Sequence, residues 1–356
     1  MNTKLGLTVI LTPLLLVNWL ANCAQGARAE WEHIPGTEVI GSVRLLESDG
    51  LRLYAVGDTE FYLSFDDGHT WRRRDIGRGI DDLFITAIGS GDGAVYVGAI
   101  DHGVFRSDDG GNTWEQINEG LHIFDHPKWG RRHGSVFQLL VTSSGTVINV
   151  GYHQGTHISS NRGDSWRNVT SDWKIPVGNP NLDFLLGSGI FSMTEFDGYL
   201  WAVYSSNSRS IYRSPDNGET WEHLPELIYG AITDWAVLGD RLYVAGYHGF
   251  GRWNEAEFMW ENLSRGLPQE PYMNRLAVNR GRIFAACYES DRGVWLYDQP
   301  SETWFPTGPR HVVVGSLISH GSDLYAGTEN GIYRASIPAV QPYGKAAVTW
   351  GALKHQ

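Results

Sequence analysis

Tryptophan returns along this chain at nearly regular intervals, at Trp31, Trp71, Trp114, Trp166, Trp221, Trp260 and Trp304. Four of these residues close the same eight-residue phrase. It reads Ser64, Asp66, Gly68 and Trp71, then Ser107, Asp109, Gly111 and Trp114. It recurs as Ser159, Asn161, Gly163 and Trp166, and again as Ser214, Asp216, Gly218 and Trp221. Between the phrases lie short apolar runs such as residues 94–98 (AVYVG) and 103–107 (GVFRS). A unit of about 40 to 50 residues built from short strands cannot bury its own apolar face, so neighbours must cover it on both sides. That requirement points to a β-propeller.

Seven copies of the central strand pair can be read, and the last has no tryptophan strand behind it. Residues 31–34 (WEHI) have that strand and nothing in front. The sequence therefore predicts an all-β, single seven-bladed β-propeller of four-stranded antiparallel blades. It is closed in the Velcro manner by the N-terminal strand, which removes free sheet edges. The ring is expected over residues 30–338, with a C-terminal tail over 339–356.

Residues 5–17 are almost wholly apolar, follow Lys4, and read as the core of a signal peptide ending at residue 29. Ala27-Arg28-Ala29 fits a cleavage site, while Leu20-Ala21-Asn22-Cys23 resembles a lipoprotein signal that would leave Cys23 lipidated. Either route implies an extracytoplasmic protein, with membrane contact only if Cys23 carries lipid. With Cys23 removed or modified, Cys287 has no disulfide partner. The formal charge is −12, and loss of Lys4 and Arg28 with the leader takes it to about −14. An acidic chain of this kind is not expected to bind nucleic acid.

The eight-residue phrase is similar to the Asp-box, the bacterial neuraminidase repeat. Asp or Asn at its third position can bond amides ahead of it, and Gly permits positive φ. The repeat occurs in sialidases, xyloglucanase-type glycosidases, sortilin-like receptors and the photosystem II assembly factor family. A single ring with N-terminal closure looks most like the assembly-factor group. Sialidases would need an arginine triad and a Tyr-Glu pair; the inner-strand arginines here are Arg44 and Arg275. The resemblance thus implies a monomeric, non-catalytic binding or assembly scaffold for a protein or carbohydrate partner, with an Asp-box glycoside hydrolase as the alternative.

Candidate binding residues fall on the face opposite the Asp-boxes, where second-to-third-strand loops meet the blade connections. They are Asp101, His102, Tyr152, His153, Tyr247 and His248, with Trp129, Arg131 and Arg132 on the long connection 121–133. Aromatic and arginine side chains suit a binding face. The Tyr-His pairs can equally be an inherited feature of the repeat. His102, His153 and His248 belong to blades two, three and five, too dispersed for a metal site. No cofactor, metal or catalytic residue is expected.

Overall fold

The computed structural model describes residues 29–58, 60–77, 80, 83–126, 130–151, 155–169, 190–204, 210–226, 230–269, 271–288 and 293–338. Second strands such as Leu53–Val56 and Ala94–Ala99 are buried at every position, as continuous apolar runs must be when covered on both sides. Seven four-stranded antiparallel sheets result. Their innermost strands are Leu45–Ser48, Ile85–Gly91, Val136–Val141, Ile190–Phe196, Ile232–Leu238, Met273–Asn279 and Val314–His320, numbered here as blades one to seven. Blade seven takes its outer strand, Glu30–His33, from the start of the chain, with Trp31 opposite Ala335. The leader, the Cys23 site and the tail beyond residue 338 lie outside the described residues. Ala29 is buried, and its N–H donates to Thr307 Oγ1 at 3.1 Å.

Each tryptophan of the repeat packs on the blade before its own. Trp114 meets Phe61 of blade one edge-on at 5.3 Å, and Trp304 meets Phe250 of blade five at 4.8 Å. The apolar core is correspondingly divided into seven clusters, one at each joint between blades. Large amphipathic rings suit this place because they span two sheets and still offer an N–H. Trp71, Trp114 and Trp221 donate it to their own turn, at Gly68 O, Gly111 O and Gly218 O. Trp166 and Trp304 instead reach across the joint to Ile117 O (2.6 Å) and Leu263 O (3.1 Å).

In the eight-residue turns, Asp109 Oδ1 accepts from Thr113 N–H at 2.8 Å, its Oδ2 accepts from Thr113 Oγ1, and Ser107 Oγ accepts from Gly111 N–H. Burial opposes ionisation of Asp109, but these hydrogen bonds outweigh it and hold the carboxyl low, at about 2. Two successive residues are left-handed in each turn, for example Arg162 (φ 59°) and Gly163 (φ 90°). This turn absorbs the tryptophan: Trp71, Trp114, Trp166 and Trp221 precede the outer strand, whereas Trp260 and Trp304 lie within it. The outer strand of blade two is accordingly Glu115–Gln116, shorter than the span from Trp114 to Ile117 that sequence alone suggests.

The inner strands are edge strands, and their outward-facing N–H and C=O groups need partners. At every joint a polar side chain of one blade reaches the next. The bulged residue at the start of an inner strand does this three times, and Arg44, just before the first inner strand, does the same. Arg44 donates to Ile85 O (3.1 Å) and Asn274 to Val314 O (2.8 Å), while Thr86 and Thr233 donate to Val136 O and Met273 O. Gln138 exchanges hydrogen bonds with Met193, and Trp235 Nε1 donates to Ser192 Oγ. Ser316 accepts from Leu46 N–H at 2.9 Å, linking blade seven to blade one.

Candidate functional site

The connection over residues 121–133 is a β-hairpin rather than an irregular loop. Ile123–His126 pairs with Gly130–His133, placing Asp125 opposite Arg131 and Phe124 opposite Arg132. Gly130 takes a positive φ of 73°, and the segment alternates side chains across the ribbon, a period-two signal hidden by its charges. His133 N–H donates to Asp101 O at 3.0 Å, fastening the hairpin to the Asp101–His102 loop. Arg131 is exposed and Arg132 half-buried. Trp129, Tyr152 and His153 lie outside the described residues.

His102 is 8% exposed, and its carbonyl accepts from Gln116 Nε2 and Asn118 Nδ2, both at 2.8 Å. It works as a loop anchor at this joint. Beside it, burial lowers His133, aided by the charges of Arg131 and His102; burial and then His122 depress His157 to about 4. Among the described residues no three His, Cys, Asp or Glu side chains converge as metal ligands.

Ser48, His320 and Asp67 form a chain at the joint of blades seven and one, with Ser48 Oγ 2.7 Å from His320 Nδ1 and His320 Nε2 3.0 Å from Asp67 Oδ1. These are the residue types of a hydrolytic triad. The arrangement inverts its design, because the His320 side chain is 7% exposed while the Asp67 side chain is 68% exposed. Ser48 Oγ also accepts from Gly50 N–H at 3.0 Å. These contacts clamp two blades together.

The channel mouth between blades five and six is organised differently. Tyr247 comes from the second-to-third-strand loop of blade five, Tyr272 from the connection between the blades, and Tyr288 from the loop of blade six. Tyr247 stacks on Tyr272 with centroids 4.3 Å apart at 13°, and Tyr288 meets Tyr272 edge-on at 5.6 Å and 72°. Backbone bonds fix the three loops: Tyr288 N–H donates to Tyr272 O (2.8 Å) and Tyr247 N–H to Ala231 O (3.1 Å). Tyr247 and Tyr288 nevertheless stay 44% and 40% exposed. His248 lies exposed beside Tyr247.

Arg275, on the inner strand of blade six, donates to Asn274 O at 2.7 Å and lies close enough to act on this aromatic corner. Burial and the hydrogen bond with Tyr247 push Tyr272 up to about 12, against the pull of Arg275. The same guanidinium opposes the rise that burial imposes on Asp234. Asp234 is engaged, accepting from Leu276 N–H at 2.7 Å and Trp235 N–H at 2.9 Å. Further round the same mouth, Arg44 stacks over the exposed Phe84 at 4.3 Å, and Phe137 is exposed on blade three. Of the predicted residues, Tyr247 and His248 therefore join this site, while Asp101, His102, Arg131 and Arg132 gather at blades two and three. Tyr272 was missed because it lies on a connection with no repeated motif; Tyr288 follows its second strand as Tyr152 and Tyr247 do, but lacks the histidine that marked those pairs.

No family model and no curated protein matches the chain. Among solved structures it is similar to YCF48 from Cyanidioschyzon merolae, with TM-score 0.62 and 14% identity over 86% of this chain and 98% of that one. A second YCF48 structure, bound to D1 peptide, gives TM-score 0.63 and 14% identity over 88% and 98% of the two chains. Virginiamycin B lyase from Staphylococcus aureus gives TM-score 0.63 and 11% identity over 87% and 99%. At such identities the likeness establishes the fold, which serves binding proteins and enzymes alike.

Proposed function

We propose that this chain is an Asp-box propeller working outside the cytoplasm as a binding or assembly scaffold, and that it grips an extended segment of a partner protein at the channel mouth of blades five and six. The observation that carries the reading is the corner of Tyr247, Tyr272 and Tyr288: three rings from three loops, fixed by backbone bonds, with Tyr247 and Tyr288 left exposed and Tyr272 half-buried between them. Tyrosine offers large amphipathic contact area with few rotamers to freeze, which is why it dominates binding hot spots. A ring of the same architecture holding a D1 peptide supports the reading.

The test is capture from envelope extracts of the source cell by wild type and by Tyr247→Ala/Tyr272→Ala. Truncating paired hot-spot aromatics weakens capture about tenfold or more, with a melting temperature within about 3 °C of wild type. Capture that survives the double substitution overturns the site. Captured material that resists protease and yields to glycosidases replaces the protein partner with a glycan.

A further inference from the structure

Resting on that reading, the geometry points to a narrower occupant: we infer that the Tyr247–Tyr272–Tyr288 corner is a docking site for a proline-bearing segment in the polyproline-II conformation. Three features select it. The first is shape. The near-parallel pair and the perpendicular third ring make a right-angled corner, with interplanar angles of 13° and 72°. Such a corner fits a flat-sided pyrrolidine ring wedged against two walls, and aromatic-lined grooves of this kind recognise polyproline II because that helix is preformed.

The second feature is the balance of donors and acceptors. Among the described residues, the polar groups at the corner are tyrosine hydroxyls, the exposed His248 and the Arg275 guanidinium, while both oxygens of the Asp234 carboxylate are engaged by Leu276 N–H and Trp235 N–H. A polyol ligand needs strong acceptors for its own hydroxyl protons. A polyproline-II segment presents carbonyl oxygens with no internal partners, and proline has no N–H to satisfy. The tyrosine hydroxyls and the guanidinium supply the donors such a chain needs, and the guanidinium offers no acceptor to a sugar's hydroxyl protons.

The third feature is charge. An aromatic corner also attracts cations, but Arg275 lies close enough to act on Tyr272 and repels a second positive charge. That disfavours a quaternary ammonium or a lysine as the occupant. The loop geometry adds rigidity, since the Tyr288 N–H to Tyr272 O bond couples the perpendicular ring to the stacked pair. A rigid corner and a stiff ligand together lose little entropy on binding.

The experiment is calorimetric titration of the purified protein with acetylated decaproline, with a Gly-Ser peptide of equal length, and with chitin and cellulose oligosaccharides. Decaproline binds saturably and the Gly-Ser peptide does not. Tyr288→Ala and Tyr272→Ala each weaken decaproline about tenfold, whereas Tyr272→Phe, which keeps the ring, stays within about threefold. Thermal melts of all variants separate lost binding from lost folding. Absence of saturable decaproline binding, or binding indifferent to the tyrosines, overturns the inference while the capture experiment still stands for the broader reading. Equal binding of the Gly-Ser peptide also overturns it and leaves a general peptide groove. Oligosaccharides binding through these tyrosines, with both peptides inert, overturn both readings.

Discussion

His157 illustrates how one buried side chain ties stability to pH. It sits on the third strand of blade three, 2% exposed, where burial and His122 depress its titration to about 4. In the unfolded chain a histidine titrates near about 6.5, so between the two values the unfolded state holds the extra proton. Stability is therefore intact above about pH 6.5 and is lost progressively as pH falls through about 4. The turn carboxylates act lower: hydrogen bonds hold Asp109 at about 2 against burial, so its contribution is present above the ordinary aspartate value and lost as pH falls towards 2. Melting temperature measured from pH 7 to pH 4.5 should decline, and His157→Gln should flatten that decline. An unchanged slope in the variant would show that another group controls this window. None of this was legible in the sequence, since His157 stands in a strand whose neighbours lie on other segments.

At the level of the element, blade joints use a device that appears twice. The chain leaving blade two carries Gly120 at φ 88°, where a Cβ would lie 2.2 Å from Trp166 O; leaving blade five, Gly266 at φ 87° would meet Trp304 O at 2.6 Å. In both places the incoming tryptophan donates its backbone N–H to the residue before the glycine, at Glu119 O and Arg265 O. Gly120→Ala therefore strains φ and pushes two blades apart, costing about 2–4 kcal/mol. Gly281→Ala is the control, a positive-φ glycine with open space around its Cβ, and should cost about 1 kcal/mol. Urea unfolding of the two variants measures the difference, and equal losses would remove the joint from the explanation. The tryptophans and turn glycines of these elements were readable because they repeat. Gly120 and Gly266 look like ordinary loop residues until the neighbouring blade is in place.

Across the whole molecule, the sequence reading reached the blade number, the turn positions and the strand that completes blade seven, because each leaves a periodic trace. It placed its candidates on the loop face and distributed them by local motif. The tyrosine corner escaped because Tyr247, Tyr272 and Tyr288 are brought together by two blades and the connection between them. The links at the joints escaped for a similar reason: Thr86, Thr233 and Asn274 sit at the bulge of their inner strands and Arg44 just before its own, and no single residue type marks the place.

The outer strand of blade seven is joined to its sheet by pairing with a segment some three hundred residues away, Trp31 lying opposite Ala335. Nothing in that pairing distinguishes a molecule's own edge from the same edge on a second copy. An open ring and a loose first strand are thus mutually adhesive, and whether they meet within or between chains is a race set by concentration. Refolding at dilute and at high protein concentration should yield monomers in the first case and strand-exchanged dimers and longer chains in the second, resolved by light scattering. Deleting residues 29–36 should abolish both products. For a protein of this design, the same few residues that make the ring whole are the ones through which crowded copies can become entangled.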